Sequence, residues 1–174
     1  EEALSRAVKM DRRQWPAMLE LAQISYDRGD YDPATRYYEQ FRRLAATLHH
    51  ARQANGLKEV MLTSASPSDG KTLTAVNLAL VLAESYHYSV LLIDADLRRP
   101  SIPNRVDLTD GCGLSDALTA PTERKLALVQ IAPRLTRLPA GRPISNSIEA
   151  LTSPRMRQIL DEASSRFDWV ILDA

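Results

Sequence analysis

The sequence predicts an α/β fold: a parallel sheet flanked by helices, preceded by an α-helical segment. Three observations carry this expectation. Residues 57–174 alternate short apolar runs with helical stretches in the order strand, helix, strand, helix, strand, a rhythm that builds parallel sheets. Residues 1–55 instead place apolar and small residues at helical spacing, as in Leu4, Ala7, Val8 and again Met18, Leu21, Ala22, Ser25. Composition is that of a globular chain: 174 residues, 44% apolar and 25% charged.

The strand and helix expectations follow in order. Val60 to Thr63 reads as a strand, Leu73 to Ser85 as a helix and Val90 to Ile93 as a strand. Residues 100–111, with two prolines and several polar residues, read as loop. Residues 121–146 carry four prolines, with short strands expected around Leu128 and Leu138. Ser147 to Arg166 is mostly helical, and Thr152-Ser153-Pro154 marks a helix start within it. Trp169 to Leu172 is the last strand. The chain stops directly afterwards, so the expectation is a sheet truncated at its C-terminal end.

Charge excludes some functions. The 22 basic residues cancel the 22 acidic ones, and residues 1–50 and 51–174 are each neutral. Broad attraction to nucleic acid or an anionic surface is not supported, so no nucleic-acid partner is expected. One cysteine, Cys112, excludes an internal disulfide framework and a multi-cysteine zinc site. His49-His50 reads as a solvated helix face, since adjacent helical residues point apart. Tyr26, Tyr31, Tyr37 and Tyr38 read as core or surface residues of the helical part.

The chemistry is concentrated in three places. Ala65-Ser66-Pro67-Ser68-Asp69-Gly70-Lys71-Thr72 lies between the first strand and the first helix of the α/β part and has the pattern of a phosphate-binding loop. Amides of Ser66, Pro67's neighbours, Ser68, Asp69 and Gly70, with the helix N-terminus, would converge on phosphate oxygens. Gly70 allows close approach, Lys71 supplies a cation to the β- and γ-phosphates, and the Thr72 hydroxyl is placed to ligate Mg²⁺. The second place is Val90-Leu91-Leu92-Ile93-Asp94-Ala95-Asp96-Leu97-Arg98. There an apolar strand delivers Asp94 and Asp96 at the sheet edge where open α/β sheets bind ligands. The third is Val170-Ile171-Leu172-Asp173, a buried strand ending in a second magnesium anchor.

Two resemblances follow from these residues. A weak 34-residue repeat (Leu4 with Tyr38, Ala7 with Phe41, Met10 with Leu44) and the text LELAQISYDRGDYDPATRYY resemble the tetratricopeptide repeats of type IV pilus biogenesis lipoproteins, over residues 1–38. Residues 39–56 are then a connecting helix that runs on from Tyr31 through the junction, and 57–174 the nucleotide-binding domain. The strings SASPSDGKTLTAVNLALVLAE, VLLIDADLRRPSI, GLSDAL, LPAGRP and FDWVILDA resemble the kinase domain of bacterial tyrosine autokinases of exopolysaccharide and capsule synthesis, within the wider MinD/ParA-like group. Ser68-Asp69 stands where that family usually has Gly-Glu. Its oligomer-forming helix carries Glu-x-x-Arg-x-x-Arg; Glu39 and Arg42 match, and Ala45 replaces the second arginine.

The resemblance implies ATP and Mg²⁺ as cofactors and phosphoryl transfer to tyrosine. Lys71 and Thr72 would hold Mg-ATP, Asp94 would activate the attacking hydroxyl beside the metal, Asp96 would support it, Asp173 would orient the metal, and Arg98 would contact the nucleotide. It further implies a transmembrane chain-length regulator as activating partner, homo-oligomer formation, and a cytoplasmic place at the inner face of the bacterial membrane. Two other readings of the residues stay open here: a MinD/ParA-like ATPase switch without kinase activity, and a repeat-type interaction module carrying an inert ATPase portion.

Overall fold

The computed structural model describes residues 32–64, 70–98, 113–122 and 124–174. Residues 1–31 of the repeat-like hairpin expected over residues 1–38, Ala65 to Asp69 of the phosphate-loop pattern, the loop around 100–111 and Cys112 lie outside the described residues.

Helix α1 runs without interruption over Asp32–Asn55, so the expected continuous helix across the junction is present. It is followed by β1 (Glu59–Leu62), α2 (Lys71–Ser85) and β2 (Val90–Asp94). Then come a short α3 (Leu114–Thr119), β3 (Val129–Ala132) and β4 (Leu135–Leu138). Helices α4 (Ser147–Leu151) and α5 (Pro154–Arg166) lead into β5 (Trp169–Asp173). Among the described residues, five strands form one sheet in the order β1-β5-β2-β4-β3. Every pairing is parallel except β3 with β4. That pair is an antiparallel hairpin closed through Arg134, whose φ is +63°. A two-residue turn joins antiparallel neighbours directly, whereas parallel ones need a crossover, and the sequence reading missed this local exception.

Continuous apolar runs explain the centre. Val90-Leu91-Leu92-Ile93 and Trp169-Val170-Ile171-Leu172 are buried along their whole length, as strands covered on both faces must be. Even-numbered positions of β2 and odd-numbered positions of β5 face α1 and α2: Val90, Leu92, Trp169 and Ile171 join Ala75, Leu78, Ala79, Leu82 and Ala45 in one core. Leu91, Ile93, Val170 and Leu172 face the other way, onto α3 and α5 through Leu114, Ala117, Met156 and Ile159. Helix α2 is apolar nearly all round because it is sandwiched between α1 and the sheet. Ala45 is fully buried at the α1–α2 contact; an arginine there would lie inside the core.

Helix starts follow local chemistry. Ser153 caps α5 by accepting the Met156 N–H at 3.2 Å, with Pro154 at the first helical position. Gly113 and Gly141 pass so closely that a Cβ on Gly113 would lie 2.2 Å from the Gly141 Cα. That crossing lets Leu114 and Ser115 donate N–H bonds to Pro139 and Ala140 at 2.8 Å each.

At the rim where the parallel strands begin, α1 is clasped to the sheet. The Arg52 guanidinium lies 5.2 Å from the Tyr88 ring centroid and 5.8 Å from that of Trp169. It pairs with the Asp168 carboxylate at 3.0 Å and also bonds the Asp168 carbonyl. Asp168 in turn accepts the Ser89 N–H and hydroxyl at 2.9 and 2.8 Å. Burial opposes ionisation of Asp168, but these hydrogen bonds, with Arg52 and Lys58, outweigh it and hold its carboxyl below the usual range. His49 belongs to this clasp, correcting the solvated-face reading. Its ring lies 4.8 Å from Tyr86, and its Nδ1 is 2.8 Å from the Tyr88 hydroxyl. Only His50 of the pair is exposed.

Candidate functional site

The site lies at the opposite rim, where β1, β5 and β2 end side by side. Leu62 pairs with Asp173, and Asp173 with Asp94, across adjacent parallel strands. Two apolar strands in register therefore bring two carboxylates together. The Ala95 N–H donates to the Asp173 carbonyl at 2.8 Å and closes the rim.

Helix α2 brings the cation and the hydroxyl. Gly70 caps it with φ +87°, a left-handed conformation suited to glycine. A Cβ built there meets nothing within 4 Å, so among the described residues glycine is required by the backbone rather than by crowding. Lys71 Nζ donates to Ser64 Oγ at 3.2 Å, across the ends of the loop. The Thr72 hydroxyl hydrogen-bonds the Asp173 carboxylate, and the Lys71 charge acts on the same group.

Electrostatics follow from this packing. Asp94 is fully buried. Burial pushes its carboxyl up to about 7; Arg137 pulls it back, while Asp173 and Asp96 push it further up. Burial also raises Asp173, against the Thr72 hydrogen bond and Lys71. Asp94 Oδ1 and Asp173 Oδ2 are buried without a hydrogen-bond partner among the described residues. Orphaned carboxylate oxygens side by side fit a divalent cation. Yet no three acidic, histidine or cysteine side chains among the described residues are arranged to hold a metal unaided. Both observations suit Mg²⁺, which keeps waters and is usually held by one or two carboxylates together with substrate phosphates. Thr72, Asp94 and Asp173 are the residues that would hold it.

Lys71, Thr72, Asp94, Asp96 and Asp173 are thus brought together. Asp96 lies beyond the end of β2 rather than on an extended strand, yet its charge acts on both other carboxylates and its backbone N–H bonds Asp94. Arg98 stands apart: it is exposed, and its Nε donates to Ser147 Oγ at 3.0 Å, at the start of α4. Sequence reasoning missed Arg137, whose Nη2 approaches Asp94 Oδ2 to 3.5 Å. The alternation Leu135-Thr136-Arg137-Leu138 holds the signal, since it puts Arg137 in the same row as a core leucine.

No family model matches the chain. Tyrosine-protein kinase YwqD of Bacillus subtilis (strain 168) is 35% identical over 143 residues, which cover 82% of this chain and 60% of that protein. The kinase domain of the Escherichia coli tyrosine kinase ETK superposes with a TM-score of 0.68 at 34% identity, over 78% of this chain and 53% of that domain. The kinase domain of VpsO superposes with a TM-score of 0.60 at 30% identity, over 79% of this chain and 71% of that one. The chain spans 60% of the length of YwqD and only 20% of full-length etk from Escherichia coli (strain K12). With its sheet order, its loop-helix junction and its paired strand-end carboxylates in place, the chain belongs to the bacterial tyrosine-protein kinase family.

Proposed function

We propose that this chain carries the phosphoryl-transfer site of an ATP-dependent protein-tyrosine autokinase acting in bacterial exopolysaccharide or capsule synthesis. One observation carries the reading. A fully buried Asp94 stands in register with Asp173, to which Thr72 is hydrogen-bonded, at the strand ends beside Lys71. A carboxylate set at the end of the strand beside the phosphate-binding helix is suited to take the proton of an attacking tyrosine hydroxyl.

The residues then divide the work. Lys71 and the amides at the start of α2 bind the polyphosphate. Mg²⁺, when bound, neutralises charge on the β- and γ-phosphates. Asp94 accepts the hydroxyl proton as the oxygen attacks; burial above all, with Asp173 and Asp96 beside it, raises its affinity for that proton. Loss of the γ-phosphoryl bond to ADP and formation of the tyrosine O–P bond complete the transfer. A transmembrane regulator as activator, self-association, and a place at the inner face of the bacterial membrane belong to the same proposal. No helix among the described residues is long and apolar enough to cross a membrane.

The test is labelling with γ-³²P-ATP, with Asp94→Asn as the comparison. Phosphotyrosine that depends on Asp94 supports the reading. Phosphate release without phosphotyrosine would replace it with an ATPase switch. An unchanged melting temperature on adding Mg-ATP would sink both, because a ligand of the native state must raise stability.

A further inference from the structure

Arg137 stands on β4 in register with Leu92 of β2. Leu92 and Leu135 both belong to the core beneath α1 and α2, so strand alternation sends Arg137 to that same face. Its side chain is only 11% exposed. A cation buried in a leucine row is costly unless a counter-charge meets it. The counter-charge is Asp94, 0% exposed, whose Oδ2 lies 3.5 Å from Arg137 Nη2. That is the outer limit of a hydrogen bond, so the interaction is chiefly one of charge. Arg137 thus occupies the Oδ2 side of the carboxylate and leaves Oδ1 without a partner among the described residues. Among the described residues, no three acidic, histidine or cysteine side chains are arranged to hold a metal unaided.

We propose that Arg137 is a positioning residue that fixes Asp94 through Oδ2 and offsets the charge of the acid cluster, so that a divalent cation enters with the nucleotide rather than alone. The inference rests on the phosphoryl-transfer reading of the site. A bare ion held by Asp94 would meet the guanidinium as a like charge inside a poorly screened rim. The negative charge of a polyphosphate outweighs that repulsion, so the ion and nucleotide are favoured together. Removing the Arg137 charge lifts the penalty on the bare ion.

Mn²⁺ serves as the probe, with the unbound ion counted by its paramagnetic resonance signal on the whole chain. Without nucleotide, Arg137→Leu is expected to bind Mn²⁺ about tenfold more tightly than the unaltered chain, the scale of one charge acting across a few ångströms of partly screened medium. Arg137→Lys, which keeps the charge, stays at the unaltered affinity. Arg137→Gln repeats the gain if the leucine variant fails to fold. Leucine and glutamine variants that fold and bind Mn²⁺ no better than the unaltered chain overturn the assignment. Asp173→Asn separates the two readings. If it abolishes Mn-ADP binding while the Arg137 variants leave Mn²⁺ affinity unmoved, only the role of Arg137 falls. If it binds Mn-ADP as before, the metal reading falls and the proposal with it.

Discussion

Asp94→Asn should make the nucleotide-free protein more stable at pH 8 while removing its proposed catalytic base. The folded carboxyl is raised from 3.8 to about 7, a difference of about 3 pH units at about 1.4 kcal/mol each. At pH 8 an ionised Asp94 therefore costs the fold at most about 4 kcal/mol relative to the unfolded chain. The sign follows from proton counting. Between about pH 4 and pH 7 the folded state keeps a proton that the unfolded chain has released, so stability from this group is full at low pH and falls as pH rises through that window. Asparagine cannot ionise and removes the loss. It also leaves the Arg137 cation without its counter-charge, which returns part of the gain. A net stabilisation on the order of 2 kcal/mol remains, or roughly 4–8 °C in melting temperature for a fold of this size. The assay is thermal melting from pH 5 to pH 8 in EDTA without nucleotide. The two proteins should converge toward pH 5 and separate toward pH 8. A variant less stable at pH 8, or two parallel curves, would refute the reasoning that burial of ionised Asp94 is a net cost despite Arg137.

Three further outcomes are expected. Lys71→Ala should weaken ADP binding by at least about tenfold through loss of a charge-assisted phosphate contact, with melting temperature nearly unchanged, both read by thermal shift with and without nucleotide. Gly141→Ala should destabilise by about 2–4 kcal/mol in urea unfolding. Its φ is +84°, and the new Cβ would lie 2.6 Å from Ser115 Oγ and 2.7 Å from Asp116 Oδ2. Arg52→Ala should cost about 1–3 kcal/mol by the same measurement, as the Asp168 pairing and both ring contacts go together.

Much of the site was legible because it is written along single strands. Each apolar run ends in its carboxylate, and parallel pairing then needs no further information to set Asp94 beside Asp173. Lys71 and Thr72 follow from the loop-helix junction. Arg137 was not legible in that way, because it reaches Asp94 from a strand whose own sequence signals only a short, Pro-flanked segment. The antiparallel β3–β4 turn and the six-residue α3 were missed for a related reason: both are too short to show a period and are held by contacts distant in sequence, such as the Gly113–Gly141 crossing. His49 was misjudged because its partners, Tyr86 and Tyr88, come from beyond the far end of α2. Arg98 follows the motif in sequence, but in space it serves Ser147.

Strand β5 is a stiff rod only five residues long, about 13 Å from end to end. At one tip Trp169 lies under Arg52, the arginine through which the long leading helix grips the sheet; at the other, Asp173 takes the hydroxyl of Thr72. A rod wedged between neighbours on both sides cannot slide at one tip and stay still at the other. The long leading helix and the paired acidic groups are thus tied to opposite ends of a single extended backbone.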